Sequence, residues 1–539
     1  MISSTSHRRG GNARPTSRRR LALIGACAVV VGTLVSNGAV GALPPIPTSP
    51  IPVPAPPPSP ISTPLTTALG TLTGYLATEC TSSAIANNPG LATPCTNVAE
   101  QAGNDAYLYG IALMEFLRQR RQQTSVTVPN TLADAPVNQL GSARELASAT
   151  AGHQVFVQPN NDTLYTMGHL DLTAGPMVLH VPAMAGHRYY VFEFLDPYTN
   201  VFNYVGTRTT GDGAGDYAIT GPNFHGRIPA GLKQIRAAYN RVWLAGRTLV
   251  NGPGDLPAVH RVQEKYRLIP LADFTRYGLS WHPPAPKVVI STHTKATEPT
   301  GVKFFDDLGT ALAQNPAPAR DQQILAELRT IGIGPGLHPS TEHLSAAVLA
   351  GLAKAADNGY EYVHETRTTY AAESAVQHHG WFVPSSDTGD FGTDYTWRAI
   401  VALFGLAANK PAEAIYVIGV VDQTEQQLDG ANAYVIHFPA GGLPPAHYFW
   451  SLTMYDDSFY LVPNPINRYS IGNRTPGVVY NSDGSLDVYL QHTAPAGHES
   501  NWLPAPASGT FEVTLRMYGP DASALNDTYT YPTIQRTLG

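Results

Sequence analysis

Gln158–Leu172 reads QPNNDTLYTMGHLDL. It ends in a plain alternating strand of the kind that packs into a sheet. Ahead of it stand Asn160, Asn161, Asp162 and Thr163. Asn and Asp there form Asx-type turns, but the same residues can wall a polar site. Period two continues outward. YYVFEFLD and YAIT read as further strands, separated by PAMAGHR, GDGAGD and GPNFHGRIPAG. The stretch from Gln154 to about Leu271 is therefore a β domain, a sandwich or a jelly-roll-like barrel. GDGAGD lies between strands with no helix after it, which excludes a phosphate loop and predicts a hairpin loop.

Helical spacing flanks this domain. In NVAEQAGNDAYLYGIALMEFLRQRRQQ, residues 97–123, Tyr107, Ile111, Met114 and Leu117 share a face. Arg118, Arg120 and Arg121 sit where the helix dipole favours cations. Residues 303–374 and Thr393–Asn409 read as helices. From Ala414 strands return in AIYVIGVVD, NAYVIHFP, FWSLTMYD, SLDVYLQH and TFEVTLRMYG, and NSDGS is a hairpin signal. The expected fold is a multidomain α+β chain with two antiparallel β-sandwich or jelly-roll-like modules, an N-terminal helical segment and a helical middle region. The boundaries read as 65–150 helical, 151–275 first β domain, 276–410 helical and 411–539 second β domain. No short internal repeat is visible.

The chain has 539 residues, 43% hydrophobic and 14% charged, with a net charge of −6. Basic residues concentrate at the extreme N-terminus, which argues against a nucleic-acid partner. Residues 1–42 read as an export signal: Arg18, Arg19 and Arg20, an apolar run Leu21–Val35, then small residues up to Ala42. The run spans about 15 residues, short for a membrane span. Export through the general secretory or the twin-arginine route is expected, with no span after signal removal, in the secreted fraction or the cell envelope. A proline-rich spacer occupies 43–64. Two cysteines, Cys80 and Cys95, are then left, and an even count in an exported chain predicts a disulfide.

Nucleophile elbows, HExxH, Walker loops, CxxC pairs and dinucleotide fingerprints are missing. No metal ligand set is assigned, and the cofactor is unknown. What the chain offers is five polar segments beside strand signals, with Asp, Arg, Asn and aromatic residues that suit a polar small-molecule pocket. Asp162 and Asp456 are the acid/base candidates. Arg208 and Arg468 would orient an anionic group, and Asn161, Tyr198, Tyr455 and Trp502 would line the pocket. Three functions fit: an exported enzyme using hydrolysis or acid/base chemistry on a polar or amphipathic small molecule, a non-catalytic carbohydrate- or lipid-binding envelope protein, and a structural or interaction protein with turn staples.

Several of these stretches also carry a family resemblance. PNNDTLY, YYVFEFLDPYTNVFNYVGTRTTG and WLAGRTLV resemble the bacterial family called domain of unknown function 1254. FWSLTMYD, LVPNPINRYSIGNRT, NSDGSLDVYLQ and NWLPAPASGTFEVTLRMYGP resemble its C-terminal companion, domain of unknown function 1214. The resemblance implies a multidomain α+β protein with two sandwich-type modules and helical segments. It implies no substrate or reaction.

Overall fold

A computed structural model describes residues 65–149 and 157–537. The export signal and proline-rich spacer read from the sequence lie outside the described residues. Helices α1 (Leu65–Glu79), α2 (Ser82–Asn87) and α3 (Ala92–Gln123) come first, and Cys80 is disulfide-bonded to Cys95. The first β module follows with β1 (Gly141–Ser142), β2 (Thr163–Asp171), β3 (Met177–Val181), β4 (Tyr190–Leu195) and β5 (Val201–Gly206). After the short α4 (Thr207–Thr210) come β6 (Gly215–Thr220), β7 (Lys233–Arg236), β8 (Arg241–Leu249), α5 (Leu256–Gln263), β9 (Arg267–Pro270) and α6 (Leu271–Tyr277).

Helices α7 (Val302–Gln314), α8 (Gln322–Arg329) and α9 (Ala346–Gln377) precede β10 (Trp381–Phe382), and α10 (Tyr395–Phe404) follows it. The second module holds β11 (Ala414–Gly419), β12 (Ala433–Phe438), β13 (Ala446–Asp456), β14 (Ser470–Gly472), β15 (Leu486–Gln491), β16 (Trp502–Pro504) and β17 (Phe511–Pro520). It ends with α11 (Ala522–Leu525) and β18 (Ile534–Thr537).

The helices form one body from two stretches of sequence. Leu69, Ile111, Phe305, Leu308, Leu328 and Leu352 share a single core. Helices α3 and α9 touch closely because glycine lines the contact. A Cβ on Gly351 would stand 2.3 Å from the Thr96 carbonyl oxygen, closer than packed atoms allow.

Each β module is a two-sheet sandwich, and neither closes into a barrel. The first has sheets ordered β1-β2-β8-β4-β5 and β7-β6-β3-β9. Between them lie Leu170, Phe192, Phe194, Leu179, Tyr217 and Ile219, the inward positions of alternating strands. The second has β10-β11-β17-β13-β14 and β16-β15-β12-β18, with Val417, Leu452, Leu515, Ile436 and Val488 between them. Strand n of the first module thus corresponds to strand n + 9 of the second. Even the one parallel pair recurs, β6 with β7 and β15 with β16.

Register carries the correspondence to single residues. Tyr165 faces Arg247 and Tyr416 faces Arg516. Val191 lies between Arg247 and Gly206, as Ser451 lies between Arg516 and Gly472. The two modules are a long-period structural repeat in which matched residues such as Tyr165 and Tyr416 or Arg247 and Arg516 are isolated single positions about 250–270 apart, so no short internal repeat shows in the sequence. GDGAGD is likewise not a hairpin loop. It carries the chain from β5 in one sheet to β6 in the other, and NSDGS precedes β15 at the same crossover of the second module. Turn chemistry reads the local reversal but not which sheet receives the next strand.

Candidate functional site

The two five-stranded sheets face each other across the module boundary. Val191, Trp243 and Ala245 of one pack with Ala414, Phe449 and Tyr518 of the other. The polar contacts across this boundary are reciprocal, as across a two-fold axis. Arg208 stands two residues after Gly206, and its Nε donates to Glu413 Oε2 at 2.6 Å. Arg474 stands two residues after Gly472, and its Nη2 donates to Asp162 Oδ1 at 2.8 Å. Glu413 directly precedes β11 as Asp162 directly precedes β2. Each module therefore lends an arginine to the other's carboxylate. The second oxygen of each acid is also taken from across the boundary. Tyr189 donates to Glu413 Oε1 at 2.7 Å, and Ser451 donates to Asp162 Oδ2 at 2.5 Å.

Asp196 and Asp456 are another matched pair, each building the turn after its strand. Asp196 Oδ1 accepts the Tyr198 and Asn200 amides at 2.8 and 3.0 Å. Asp456 Oδ1 accepts those of Ser458 and Tyr460 at 3.0 and 2.9 Å. Thr199 and Phe459 take the left-handed conformation in these turns, with φ of 63° and 64°. Each turn presses an aromatic ring against an arginine of the helical body. Arg398 lies 5.5 Å from the Tyr198 ring and Arg367 lies 4.7 Å from that of Phe459. Burial pushes the Asp196 carboxyl up to about 6, against the opposing pull of its hydrogen bonds and Arg398.

The residues singled out from the sequence are distributed over several tasks. Asp162 and Arg208 hold the module boundary, and Asp456 holds its own turn. Tyr198 is buried and donates to the Asn315 carbonyl at 2.7 Å. Arg468 Nη1 gathers the carbonyls of Glu499, Ser500 and Trp502 at 2.9, 3.1 and 2.8 Å. Trp502 Nε1 donates to the Gln491 carbonyl at 2.7 Å. Asn161 donates to the Ala147 carbonyl and accepts from Ser470. Tyr455 donates to the Pro159 carbonyl at 2.7 Å and accepts from Arg516 Nη2 at 2.6 Å. Among the described residues no cluster of three or more His, Cys, Asp or Glu could hold a metal ion.

A cavity of about 100 Å³ opens where β2, β8, β11 and β17 meet α9 and α10. None of the eight residues above lines it, although Tyr455 and Arg516 share a hydrogen bond at its floor. The matched pairs Tyr165–Arg247 and Tyr416–Arg516 both reach it, with Tyr518, Thr514 and Arg367. Met167, Trp243, Trp397, Ile400, Phe404 and Ile418 make the apolar walls. Arg247 Nη2 donates to the Ala407 carbonyl at 2.6 Å, and Nη1 lies 3.2 Å from Glu193 Oε1. Burial pushes the Glu193 carboxyl up to about 7 even beside this guanidinium. Arg516 donates to the Thr453 hydroxyl at 2.7 Å and the Gln158 carbonyl at 3.0 Å. Burial pulls down on the Arg516 guanidinium, but the phenols of Tyr455 and Tyr518 and the charge of Asp162 outweigh it and hold it ionised. The signal for these arginines is present in the sequence. WLAGRTLV and TFEVTLRMYG each place one arginine in the middle of an otherwise buried strand, where an unpaired charge is costly.

Residues 137–270 match the family model described as protein of unknown function DUF1254, and residues 413–522 match that of protein of unknown function DUF1214. The crystal structure of the VPA0106 protein from Vibrio parahaemolyticus is similar, with a TM-score of 0.57 and 24% identity over 82% of this chain and 100% of that one. An uncharacterised protein from Burkholderia cenocepacia aligns with a TM-score of 0.40 and 12% identity over 86% of this chain and 98% of its own. No curated protein matches.

Proposed function

We propose that this chain, which belongs to the two-module family of DUF1254 and DUF1214 proteins, binds a small amphipathic molecule in the cavity between its β modules. The observation that carries this reading is the cavity itself, with aromatic and aliphatic walls over a floor of buried arginines and phenols. Ligand sites combine an apolar enclosure with a few placed polar groups in this way. Binding without turnover is favoured over acid/base catalysis by what the candidate acids do. Asp162 commits both oxygens to Arg474 and Ser451, and Asp456 is committed to its turn.

The location that suits this role is outside the cytoplasm. A disulfide is present, and among the described residues no helix is long and apolar enough to cross a membrane. Both are compatible with the export signal read from the sequence. Incubation of the purified protein with an envelope and metabolite extract, followed by native mass spectrometry, tests the function. Stoichiometric retention of an unchanged compound is the expected result. Depletion of a compound with appearance of product would replace binding by catalysis. Comparing the mass of the cell-associated precursor with that of the released protein tests export.

A further inference from the structure

We infer, on the basis of the binding reading above, that the ligand of the inter-module cavity is a monocarboxylate with an apolar body about one ring in size. Three guanidinium groups line the cavity, those of Arg247, Arg367 and Arg516. Two carboxylates answer them. Glu193 pairs with Arg247 at 3.2 Å, and Glu512 accepts from Arg367 Nη2 at 2.8 Å. Arg516 is left with hydrogen bonds to neutral acceptors, namely the Thr453 hydroxyl, the Gln158 carbonyl and the Tyr455 phenol. Asp162, the carboxylate whose field reaches Arg516, is bonded to Arg474. With Glu193 ionised, one positive charge is therefore in excess in a site where charge is poorly screened.

The donors available to an anion are also present. Arg247 is 6% exposed; its Nη1 is engaged by Glu193, and its Nε makes no hydrogen bond. The Thr514 hydroxyl, 1% exposed, lies two residues from Arg516 on the same face of β17 and has no hydrogen-bond partner. Buried polar atoms are rarely left in this condition. A carboxylate accepts from such a set through two oxygens and brings the single negative charge that the count requires. The walls of Met167, Trp243, Trp397 and Phe404 leave an apolar body to follow the head group. The volume, about 100 Å³, is of the order of the cavities that take benzene.

Benzoate and its neutral counterpart benzyl alcohol test the inference on the full chain, read by calorimetry and by quenching of Trp243 and Trp397. Benzoate is expected to saturate one site and to bind about tenfold tighter than the alcohol, since a hydrogen bond to a charged group is worth about one such factor. Thr514→Val removes the waiting hydroxyl and, being close in shape, leaves nothing unpaired. It is expected to weaken benzoate several-fold and leave the alcohol unchanged. Equal affinities for acid and alcohol would overturn the carboxylate and keep the cavity as an apolar site. Benzoate binding that Thr514→Val leaves untouched would overturn the assigned head-group position. Failure of both probes to bind at millimolar concentration would overturn the binding reading together with this one.

Discussion

Replacing Asp162 by alanine removes one of the two carboxylates that bind the β modules together. Its side chain is 6% exposed and holds Arg474 and the Ser451 hydroxyl. Breaking a buried ion pair from one side costs about 3–5 kcal/mol, because the partner charge remains desolvated. Arg474 keeps 20% of its side-chain exposure, a bond to the Val250 carbonyl at 2.6 Å and its position 4.4 Å from the Phe449 ring. The lower end of that range applies, so the expected loss is about 3 kcal/mol. Glu413→Ala should cost less, about 2 kcal/mol, since Arg208 is 32% exposed and can turn to water. Urea unfolding followed by circular dichroism measures both. A double-mutant cycle with Arg474→Met isolates the pair, with a coupling energy of about 1–3 kcal/mol expected. A loss below about 1 kcal/mol for Asp162→Ala, or a coupling energy near zero, would refute the staple.

Glu193 gives a pH signature. Its folded-state value of about 7 lies above the ordinary 4.5, so the folded state binds the extra proton. Stability from this group is full below about 4.5 and is lost as pH rises through about 7, by on the order of 3 kcal/mol in total. Glu193→Gln should flatten the stability profile between these limits relative to the parent, and parallel profiles would contradict the assignment. Gly206→Ala and Gly472→Ala should each destabilise by about 1–3 kcal/mol in thermal unfolding, because a Cβ would stand 2.6 Å from the Tyr190 carbonyl oxygen in one and 2.2 Å from that of Trp450 in the other. A neutral result at either position would break the correspondence between modules. Cys80→Ser with Cys95→Ser opens a closure of 15 residues and should cost about 3 kcal/mol in urea unfolding under oxidising conditions. Equal midpoints would show the bond to be without effect on stability.

Strand and helix periods are local properties, and they are legible in the chain. The alternation along Thr163–Asp171 and the apolar face of residues 97–123 depend on near neighbours, so the order of adjacent residues determines them. Cys80 and Cys95 are the two cysteines outside the N-terminal stretch read as an export signal, and the structure bonds them to each other. The long family motifs located both modules for the same reason, since they are runs of adjacent residues.

What the sequence by itself left undecided was the use of each polar side chain, because that depends on residues hundreds of positions away. Arg208 and Glu413 are 205 positions apart, and Arg474 and Asp162 are 312 apart. Only the docking of two sandwiches with matching topology reveals them as reciprocal staples rather than members of one pocket. The same docking carries Tyr165, Arg247, Tyr416 and Arg516 from four separate strands to one cavity. Local sequence marks an arginine inside a buried strand as costly, and the tertiary structure decides what compensates it.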